Sequence, residues 1–257
     1  MNFLNDISLG TRYFEIAMVL RESNFVNGIL TNLEVAYGLS QDDIIELEKV
    51  DEMLLRKILS TSCSTPKEAL YLELGCVPLR YAIISRRLNY LHHILTRPAN
   101  SLLLDMEQIK FKSKYSFAKL VQKSVKKSAL EYLNGVKKSK TENLSHEKLL
   151  LQSYLQSTQI YPDKAKNIFK FRTRMAEVKA NFKQYYKTYL CPLGCNMEDT
   201  QEHLLYCKEI YGHDVNENQF YKHIFSNNLS KLVKIEEKLN NALKTRNLIT
   251  EQKEKNG

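Results

Sequence analysis

The hydrophobic residues of this chain recur every three or four positions over long stretches, which is the spacing of amphipathic helices. The pattern is clearest in residues 12–36, 44–58, 78–96 and 216–248, and no comparable alternation predicts a strand. Glycine and proline are scarce, with 8 and 5 residues in 257, which disfavours sandwiches and barrels. The sequence therefore predicts an all-α protein, a helical bundle followed by basic helices and a short cysteine-rich motif.

Particular residues mark several helix ends. Ser40 and Asp43 have the spacing of a capping box, in which each side chain binds the backbone N–H of the other residue. The run Thr65-Pro66-Lys67-Glu68 marks a helix start with threonine at the cap, and Gly75 marks the end of that helix. The pair Asn27-Gly28 predicts a break in the first helical segment.

The chain is predicted to have four parts. Residues 135–145 are polar and lysine-rich and are expected to form an exposed linker, and the last eight residues, TEQKEKNG, are expected to fray. Two helices are predicted over 145–160 and 163–188. The parts are a helical bundle at 1–100, a basic helical segment with the linker at 101–145, basic helices with the cysteine-rich motif at 146–215, and a C-terminal helix with its tail at 216–257.

Positive charge is concentrated in the middle of the chain. Residues 61–190 carry 24 Lys and Arg against nine Asp and Glu, residues 1–60 carry five against ten, and the whole chain has a net charge of +9. A cationic zone of this kind suits a polyanionic partner, most simply RNA or DNA. The alternative is a set of lysine-rich helix faces that contact only water.

The stretch CPLGCNMEDTQEHLLYC contains three of the five cysteines and one histidine. Its members Cys191, Cys195, His203 and Cys207 supply three thiolates and one imidazole, a complete tetrahedral ligand set for zinc. Four protein ligands leave no open coordination position, which favours a structural zinc over a catalytic one. The alternative is three unrelated cysteines in a helical protein.

Local features of the motif fit this interpretation. Pro192 and Gly194 suit a tight turn between the first two cysteines, since proline fixes φ and glycine accepts a positive φ. His203 and Cys207 are four residues apart, which places them on one face of a helix. Asp199 is expected in the first turn of that helix, where a carboxylate meets the helix dipole.

The remaining cysteines and histidines receive other interpretations. Cys63 and Cys76 are expected to be reduced and buried. The pair His92-His93 lies in an apolar helix and is interpreted as scaffold. His213 is an alternative metal ligand, although we interpret it as a loop residue in solvent.

Cationic residues on the predicted helices are candidates for contacts with phosphates. Aromatic residues lie between several of them, notably Phe169, Phe171, Phe182, Tyr185 and Tyr186, and aromatic rings stack on unpaired bases. Taken singly, each aromatic is better explained by packing in the core. The candidate nucleic-acid-binding residues are Arg80, Arg86, Arg87, Lys119, Lys123, Lys126, Lys127, Lys170, Arg172, Arg174, Lys179 and Lys183.

Other functional classes find little support in the sequence. It contains neither the G-x-x-x-x-G-K-[ST] loop nor the G-x-G-x-x-G loop of nucleotide-binding proteins. No run of about twenty apolar residues predicts a transmembrane helix, and the first residues lack the features of a secretory signal. We expect an intracellular protein of the nucleus or cytoplasm that does not bind membranes.

Four strings occur in an order that resembles one protein family. They are LGTRYFEIAMVLRESNFVNGILTN at 9–32, STPKEALYLELGCVPLRYAIISRRLNYLHHIL at 64–95, FRTRMAEVKANFK at 171–183, and the motif at 191–207. In this order they are similar to the C-terminal region of the polyprotein of non-LTR retrotransposons, which follows the palm of the reverse transcriptase and carries a Cys/His knuckle. The resemblance implies a thumb-like helical bundle that packs against a template–primer duplex. It also implies a zinc knuckle that handles element RNA or target DNA.

The chain departs from that family in two respects. Gly194 widens the first cysteine pair, which is usually closer in the family. The aromatic-x-Asp-Asp turn that holds two divalent metals in the polymerase has no counterpart, because the one Asp-Asp pair, Asp42-Asp43, follows Ser40 at a helix start and is interpreted as a cap. We therefore expect a piece or a remnant of such a polyprotein that is not an enzyme.

Two main functional hypotheses follow. The first is a nucleic-acid-binding helical protein with a structural zinc knuckle. The alternative is a protein-interaction module that zinc stabilises and that has no direct nucleic-acid role, in which the leucine stripe at 229–243 binds a helix of a partner protein. A third hypothesis, a metal-dependent nuclease, lacks a recognisable set of catalytic carboxylates.

Overall fold

The computed structural model describes residues 12–31, 39–95, 114–135, 147–211 and 223–256. Over these ranges the protein is all-α, as predicted, and the β pairing found there is an isolated antiparallel bridge between Leu190 and Glu198. The chain divides into two compact units. Unit 1 comprises Met1–Ile7, Phe14–Ile58 and Pro66–Gln152, and unit 2 comprises Ser8–Tyr13, Leu59–Thr65 and Ser153–Gly257. The predicted divisions near residues 100, 145 and 215 lie outside the described ranges.

Unit 1 contains the first helices of the chain. Helix α1 (Tyr13–Leu20) continues through a π-helical segment (Arg21–Val26) into α2 (Asn27–Leu30), and α3 (Gln41–Leu59), α4 (Lys67–Leu74), α5 (Leu79–Leu95) and α6 (Lys114–Gly135) follow. The predicted capping box begins α3. The Ser40 hydroxyl accepts the Asp43 N–H at 3.1 Å, and the Asp43 carboxylate accepts the Ser40 N–H at 2.8 Å.

The helix break predicted at Asn27-Gly28 is wrong. The chain remains helical through both residues. The helix ends at Leu30, and its C-cap residue Thr31 has an extended ψ of 121°. The Thr31 hydroxyl donates to the Asn27 carbonyl at 2.8 Å, which satisfies one of the last carbonyls of the helix. Val26 and Leu30 are both buried, so packing on either side of the glycine outweighs its low helix propensity.

The core of unit 1 forms where the helices bury their apolar stripes. Val26 and Leu30 pack against α5 through Leu79 and Ile83. Helix α6 packs against α4 and α5 and buries one residue in every turn. These residues are Val121, Val125, Ala129 and Leu133.

Helix α4 ends at a glycine that the fold requires for two reasons. Gly75 has a left-handed φ of 63°, which side chains with a Cβ rarely adopt. A Cβ at this position would also lie 1.9 Å from the carbonyl carbon of Leu150. The Gln152 N–H donates to the Glu73 carbonyl at 3.1 Å, so residues 150–152 pack against the end of α4. The helix end predicted at Gly75 is confirmed.

A buried ion pair crosses the interior of unit 1. Arg21 Nε and Nη2 donate to the two oxygens of Asp51 at 2.7 and 2.6 Å, and the Tyr71 hydroxyl donates to the same carboxylate at 3.2 Å. Burial, reinforced by the charge of Asp51, raises the pKa of Tyr71 far above its usual value, so this residue remains a neutral donor. The pair joins α3 to the π-helical segment.

Unit 2 consists of shorter elements gathered around one long helix. They are α7 (Ser153–Gln156), α8 (Pro162–Arg172), a 3₁₀ segment (Lys179–Tyr185), a 3₁₀ turn (His203–Leu205), α9 (Lys208–Tyr211) and α10 (Leu229–Asn256). Helix α10 packs against α7, α8, α9 and the 3₁₀ turn. It remains helical to Asn256, so residues 250–256 are not the frayed tail that was predicted.

The helices predicted over 145–160 and 163–188 are shorter than expected. The first is reduced to α7. The second ends at Arg172, because the Thr173 hydroxyl donates to the Phe169 carbonyl at 2.8 Å and Arg174 has a left-handed φ of 53°. The basic segment after α8 is therefore a loop followed by a 3₁₀ segment.

The leucine stripe of the C-terminal helix is covered by its own unit. Leu232, Ile235, Leu239 and Ala242 are all buried. The stripe at 229–243 is therefore explained by packing within the chain, and the partner helix proposed for it loses the observation on which it was based. None of the helices among the described residues is long and apolar enough to cross a membrane.

The two cysteines outside the motif differ in their surroundings. Cys76 is buried as expected, and its burial raises the pKa of the thiol to about 12. Cys63 is exposed, contrary to the prediction, and both thiols are free.

Replacing Asp51 by asparagine should strongly destabilise the protein. The substitution keeps the shape of the side chain but leaves the buried Arg21 guanidinium with only the exposed Glu22 carboxylate, 3.7 Å away, as a counter-charge, and breaking a buried pair costs about 3–5 kcal/mol. Glu46→Gln is the matched control, since it removes an exposed partner of Lys49 and should leave stability nearly unchanged. Urea denaturation of both variants tests this, and equal midpoints would contradict it.

Candidate metal centre and basic surfaces

The first two cysteines lie at the end of a short hairpin. The Asp199 N–H donates to the Tyr189 carbonyl at 2.7 Å, and the Cys191 N–H donates to the Met197 carbonyl at 2.8 Å. Gly194 closes the turn with a φ of 92° and donates its N–H to the Cys191 carbonyl at 3.2 Å. The tight turn predicted between the cysteines is therefore present, and it depends on a positive φ at the glycine.

Of the second pair of candidate ligands, His203 begins a 3₁₀ turn and Cys207 follows it, so the two do not lie on the predicted α-helix. The Thr200 hydroxyl accepts the His203 N–H at 3.0 Å, and the Tyr206 N–H donates to the His203 carbonyl at 3.1 Å. The turn ends there, and Cys207 follows it directly before α9. This tighter path still brings the imidazole and the thiol to the same side.

The four predicted ligands form one cluster. Their sulfur and nitrogen atoms all lie within 4.8 Å of one another. The Cys207 sulfur is 3.9 Å from that of Cys191 and 4.0 Å from that of Cys195, and the Cys195 sulfur is 3.1 Å from His203 Nε2. Sulfurs bound to one tetrahedral zinc at 2.3 Å are about 3.8 Å apart. The cluster can therefore hold a metal ion with small shifts of its side chains.

An apolar layer encloses the cluster. The side chains of Cys191, His203 and Cys207 are buried, whereas Cys195 is partly exposed. Leu193 is buried beside the sulfurs, with Ile210 of α9 and Ile249 of α10 packed against them. Elements distant in the sequence therefore contribute the walls of the site.

Burial also sets the protonation of the thiols when no metal is bound. It raises the pKa of Cys191 and of Cys207 above the usual value, and hydrogen bonds from the backbone N–H groups of Leu193 and Glu209 oppose the shift. Both thiols therefore keep their protons at neutral pH in the metal-free chain. A metal ion must displace these protons when it binds.

Asp199 is fully buried and supports the hairpin that carries the first two cysteines. Its carboxylate accepts the Lys179 N–H at 2.8 Å and two contacts from Arg246 Nη1 at 2.8 and 2.9 Å. Arg246 Nη2 also donates to the Glu177 carbonyl at 2.5 Å. This network joins the hairpin, the loop after α8 and the C-terminal helix.

Sequence reasoning missed this support and placed Asp199 in a first helical turn. A signal was nevertheless present in α10. Buried residues of that helix follow one another at intervals of three and four, through Leu239 and Ala242, and Arg246 is at the next position of that series. A charged residue in an apolar stripe predicts a buried partner of opposite charge.

Most of the predicted phosphate ligands of α5 are committed to contacts within unit 1. Arg80 forms an ion pair with Glu48 and lies 6.0 Å from the ring centroid of Tyr132. Arg86 donates to the Asn27 side chain and to the Leu30 carbonyl. Arg87 is partly buried. Arg80 and Arg86 therefore stabilise the bundle, and we do not retain them as phosphate ligands.

Helix α6 presents its predicted lysines at the surface. Lys119, Lys123, Lys126 and Lys127 are all exposed. At 100° per residue they fall within about 100° of one another around the helix axis. Lys127 also lies 3.8 Å from Glu131, a weak exposed pair. The four side chains form one continuous cationic face, which we call the α6 lysine stripe.

The predicted cations of unit 2 fall into two groups. Arg172 is buried, donates to the Ile224 carbonyl at 3.1 Å and lies 5.3 and 4.9 Å from the ring centroids of Tyr154 and Phe225. Its position does not support the predicted phosphate contact. The remaining predicted cations are at least partly exposed. They are Lys170, Arg174, Lys179 and Lys183.

The candidate ligand His213 lies outside the described residues.

Comparison of the chain with models of known protein families, with curated proteins and with solved structures finds no match. Function must therefore be argued from the geometry of the site and its surroundings.

Replacing Arg246 by methionine should weaken metal binding although Arg246 is not a ligand. The change leaves Asp199 buried without its counter-charge, so the hairpin that carries the cysteines loses its support, and zinc affinity should fall by about tenfold, the lower end of the loss typical when a direct partner of a ligand is removed. Lys244→Met is the control, since this lysine is exposed on the same helix. Competition titration with a zinc chelator measures both affinities, and equal values would contradict the proposed support.

Proposed function

We propose that this chain is a nucleic-acid-binding helical protein whose C-terminal unit is built around a structural zinc ion. The observation that supports binding most directly is the α6 lysine stripe, a continuous exposed cationic face. Zinc is supported by the four clustered ligands, which match its preferred donors. The protein would act in the nucleus or the cytoplasm, where RNA and DNA are available.

The zinc ion would have a structural role. Three thiolates and one imidazole complete a tetrahedral shell, which leaves no position for a reactive water. The layer formed by Leu193, Ile210 and Ile249 limits the access of water further. The ion would therefore hold the hairpin, the 3₁₀ turn and α9 together.

The α6 lysine stripe is suited to a phosphate backbone rather than to base edges. Lysine is a compact charge on a flexible stem, and contacts of this kind position a protein on nucleic acid without reading its sequence. The buried residues of α6 fix the helix against α4 and α5, so the lysines project from a rigid support. Binding should be of modest sequence specificity.

We further propose that the chain derives from the C-terminal region of a non-LTR retrotransposon polyprotein. The four ordered strings at 9–32, 64–95, 171–183 and 191–207 support this origin. In that interpretation unit 1 corresponds to the thumb-like segment. The pair Asp42-Asp43 would be no remnant of a polymerase site, since Asp43 caps α3, and the chain would bind and position nucleic acid without catalysing a reaction.

The purified protein should contain about one zinc ion per chain, and Cys195→Ser should lose it. Affinity should also fall as the pH falls, because burial raises the thiol pKa values and zinc must displace those protons. The two protons of Cys191 and Cys207 alone make the loss between pH 7 and pH 6 about a hundredfold. Cys63→Ser is the matched control, and metal analysis that finds zinc in the Cys195→Ser variant would refute the ligand set.

Binding to nucleic acid should depend steeply on salt and on the α6 lysine stripe. Four phosphate contacts predict that affinity for duplex DNA falls by about two to three orders of magnitude between 50 and 300 mM salt. The double change Lys123→Glu and Lys126→Glu should weaken binding and flatten this dependence. The corresponding change at the exposed residues Lys231 and Lys234 of α10 is the control. Fluorescence anisotropy titrations measure each affinity, and a salt-independent affinity would contradict the proposal.

A further inference from the structure

A cluster of exposed aromatic residues lies directly before the first metal ligand. Tyr185, Tyr186 and Tyr189 are 74%, 47% and 44% exposed. Leu190 and Met197 face solvent beside them, at 47% and 49%. Exposed apolar and aromatic groups that are close together in this way mark interaction sites. We call these five residues, together with Lys179, Lys183 and Lys187, the knuckle surface.

The charges of the knuckle surface favour a polyanion. Lys179, Lys183 and Lys187 lie along the chain among these residues, and Glu198 is the acidic partner of Lys183. Lys183 Nζ lies 4.5 Å from the ring centroid of Tyr189, and Lys179 Nζ lies 6.0 Å from that of Tyr186. These cation–π contacts restrict the rings and place a positive charge over one face of Tyr186 and of Tyr189. An apolar protein partner would not require this charge.

The backbone around the metal centre holds the knuckle surface in place. The Tyr189 carbonyl accepts the Asp199 N–H at 2.7 Å, and Lys183 Nζ lies 2.7 Å from a carboxylate oxygen of Glu198. Asp199 is itself fixed by Arg246. Tyr189 is therefore presented on the hairpin that the cysteine cluster closes, and Tyr185 and Tyr186 lie at the end of the 3₁₀ segment that precedes this hairpin.

We infer that the knuckle surface binds single-stranded nucleic acid, with Tyr185 and Tyr186 stacked on unpaired bases. This inference rests on the proposed function and deepens it by naming the form of nucleic acid. Stacking requires an accessible base face, which a duplex hides and a single strand offers at every nucleotide. Lys187 supplies a contact to the intervening phosphates, whereas Lys183 is paired with Glu198 and lies against the ring of Tyr189. Binding of this kind tolerates any sequence, because every base has an aromatic face.

The test compares a fluorescein-labelled 12-nucleotide oligo-dT strand and an oligo-U strand with a 12-base-pair DNA duplex. Each is titrated by anisotropy with the zinc-loaded full chain. The double change Tyr185→Ala and Tyr186→Ala should weaken single-strand binding by about tenfold or more and leave duplex binding unchanged. The double change to phenylalanine, which keeps both rings, should retain single-strand binding.

Tyr161→Ala is the matched control, since Tyr161 is a 68% exposed tyrosine of the same unit that lies before α8. Zinc content and helix content by circular dichroism confirm that each variant is folded. Equal affinity for single strand and duplex, or single-strand binding that is insensitive to the tyrosines, would overturn this inference while leaving nucleic-acid binding intact. Competition by poly-glutamate as strong as that by unlabelled oligo-U would overturn it in favour of an acidic protein partner. The absence of binding to every oligonucleotide would overturn both proposals.

Discussion

The C-terminal unit depends on one buried carboxylate. Asp199 accepts hydrogen bonds from the Lys179 backbone and from the Arg246 guanidinium, and these partners belong to the 3₁₀ segment after α8 and to the C-terminal helix. A buried charge without its partners costs several kcal/mol. The hairpin, the segment and α10 are therefore stable only in one mutual arrangement. That arrangement brings the four candidate metal ligands within 4.8 Å of one another.

The N-terminal unit also depends on a buried carboxylate that is paired with an arginine. Asp51 stands in the apolar series of α3 and meets Arg21 of the π-helical segment, with Tyr71 as a further donor. Each of these ion pairs fixes the positions of two elements that apolar packing alone would hold less specifically. The two units nevertheless present different surfaces to solvent. Unit 1 exposes the α6 lysine stripe, and unit 2 exposes tyrosines beside the cysteine cluster. We interpret this difference as a division between backbone contact and base stacking.

The sequence was informative where the physical cause is local. The capping box of Ser40 and Asp43 and the stop at Gly75 depend on neighbours a few residues away. The four metal ligands lie within seventeen residues, and their residue types and spacing were enough to predict the cluster. A local interaction also explains why the predicted end of α8 was wrong. The Thr173 hydroxyl donates to the Phe169 carbonyl in the preceding turn, and the helix ends there.

Contacts between distant residues could not be read from the sequence in the same way. Asp199 and Arg246 are 47 residues apart, and Arg246 lies outside the cysteine-rich motif. Arg172 was expected at a phosphate, but the rings of Tyr154 and Phe225 surround its guanidinium. The sequence shows that a residue is charged or aromatic, whereas its exposure follows from the packing of the whole unit. This is why only the folded protein distinguishes the exposed lysines of α6 from the structural cations. The same holds for the exposed tyrosines at 185, 186 and 189 and the aromatic residues of the core.

The central claim is that one metal ion orders the hairpin, and through Asp199 also orders part of the C-terminal helix. Amide hydrogen exchange of the full chain, with and without one equivalent of zinc, tests it most directly. The account predicts that zinc slows exchange in residues 189–207 and in α10 around Arg246, while α3 to α5 of unit 1 are unchanged. Exchange in residues 189–207 that is the same with and without zinc would contradict it.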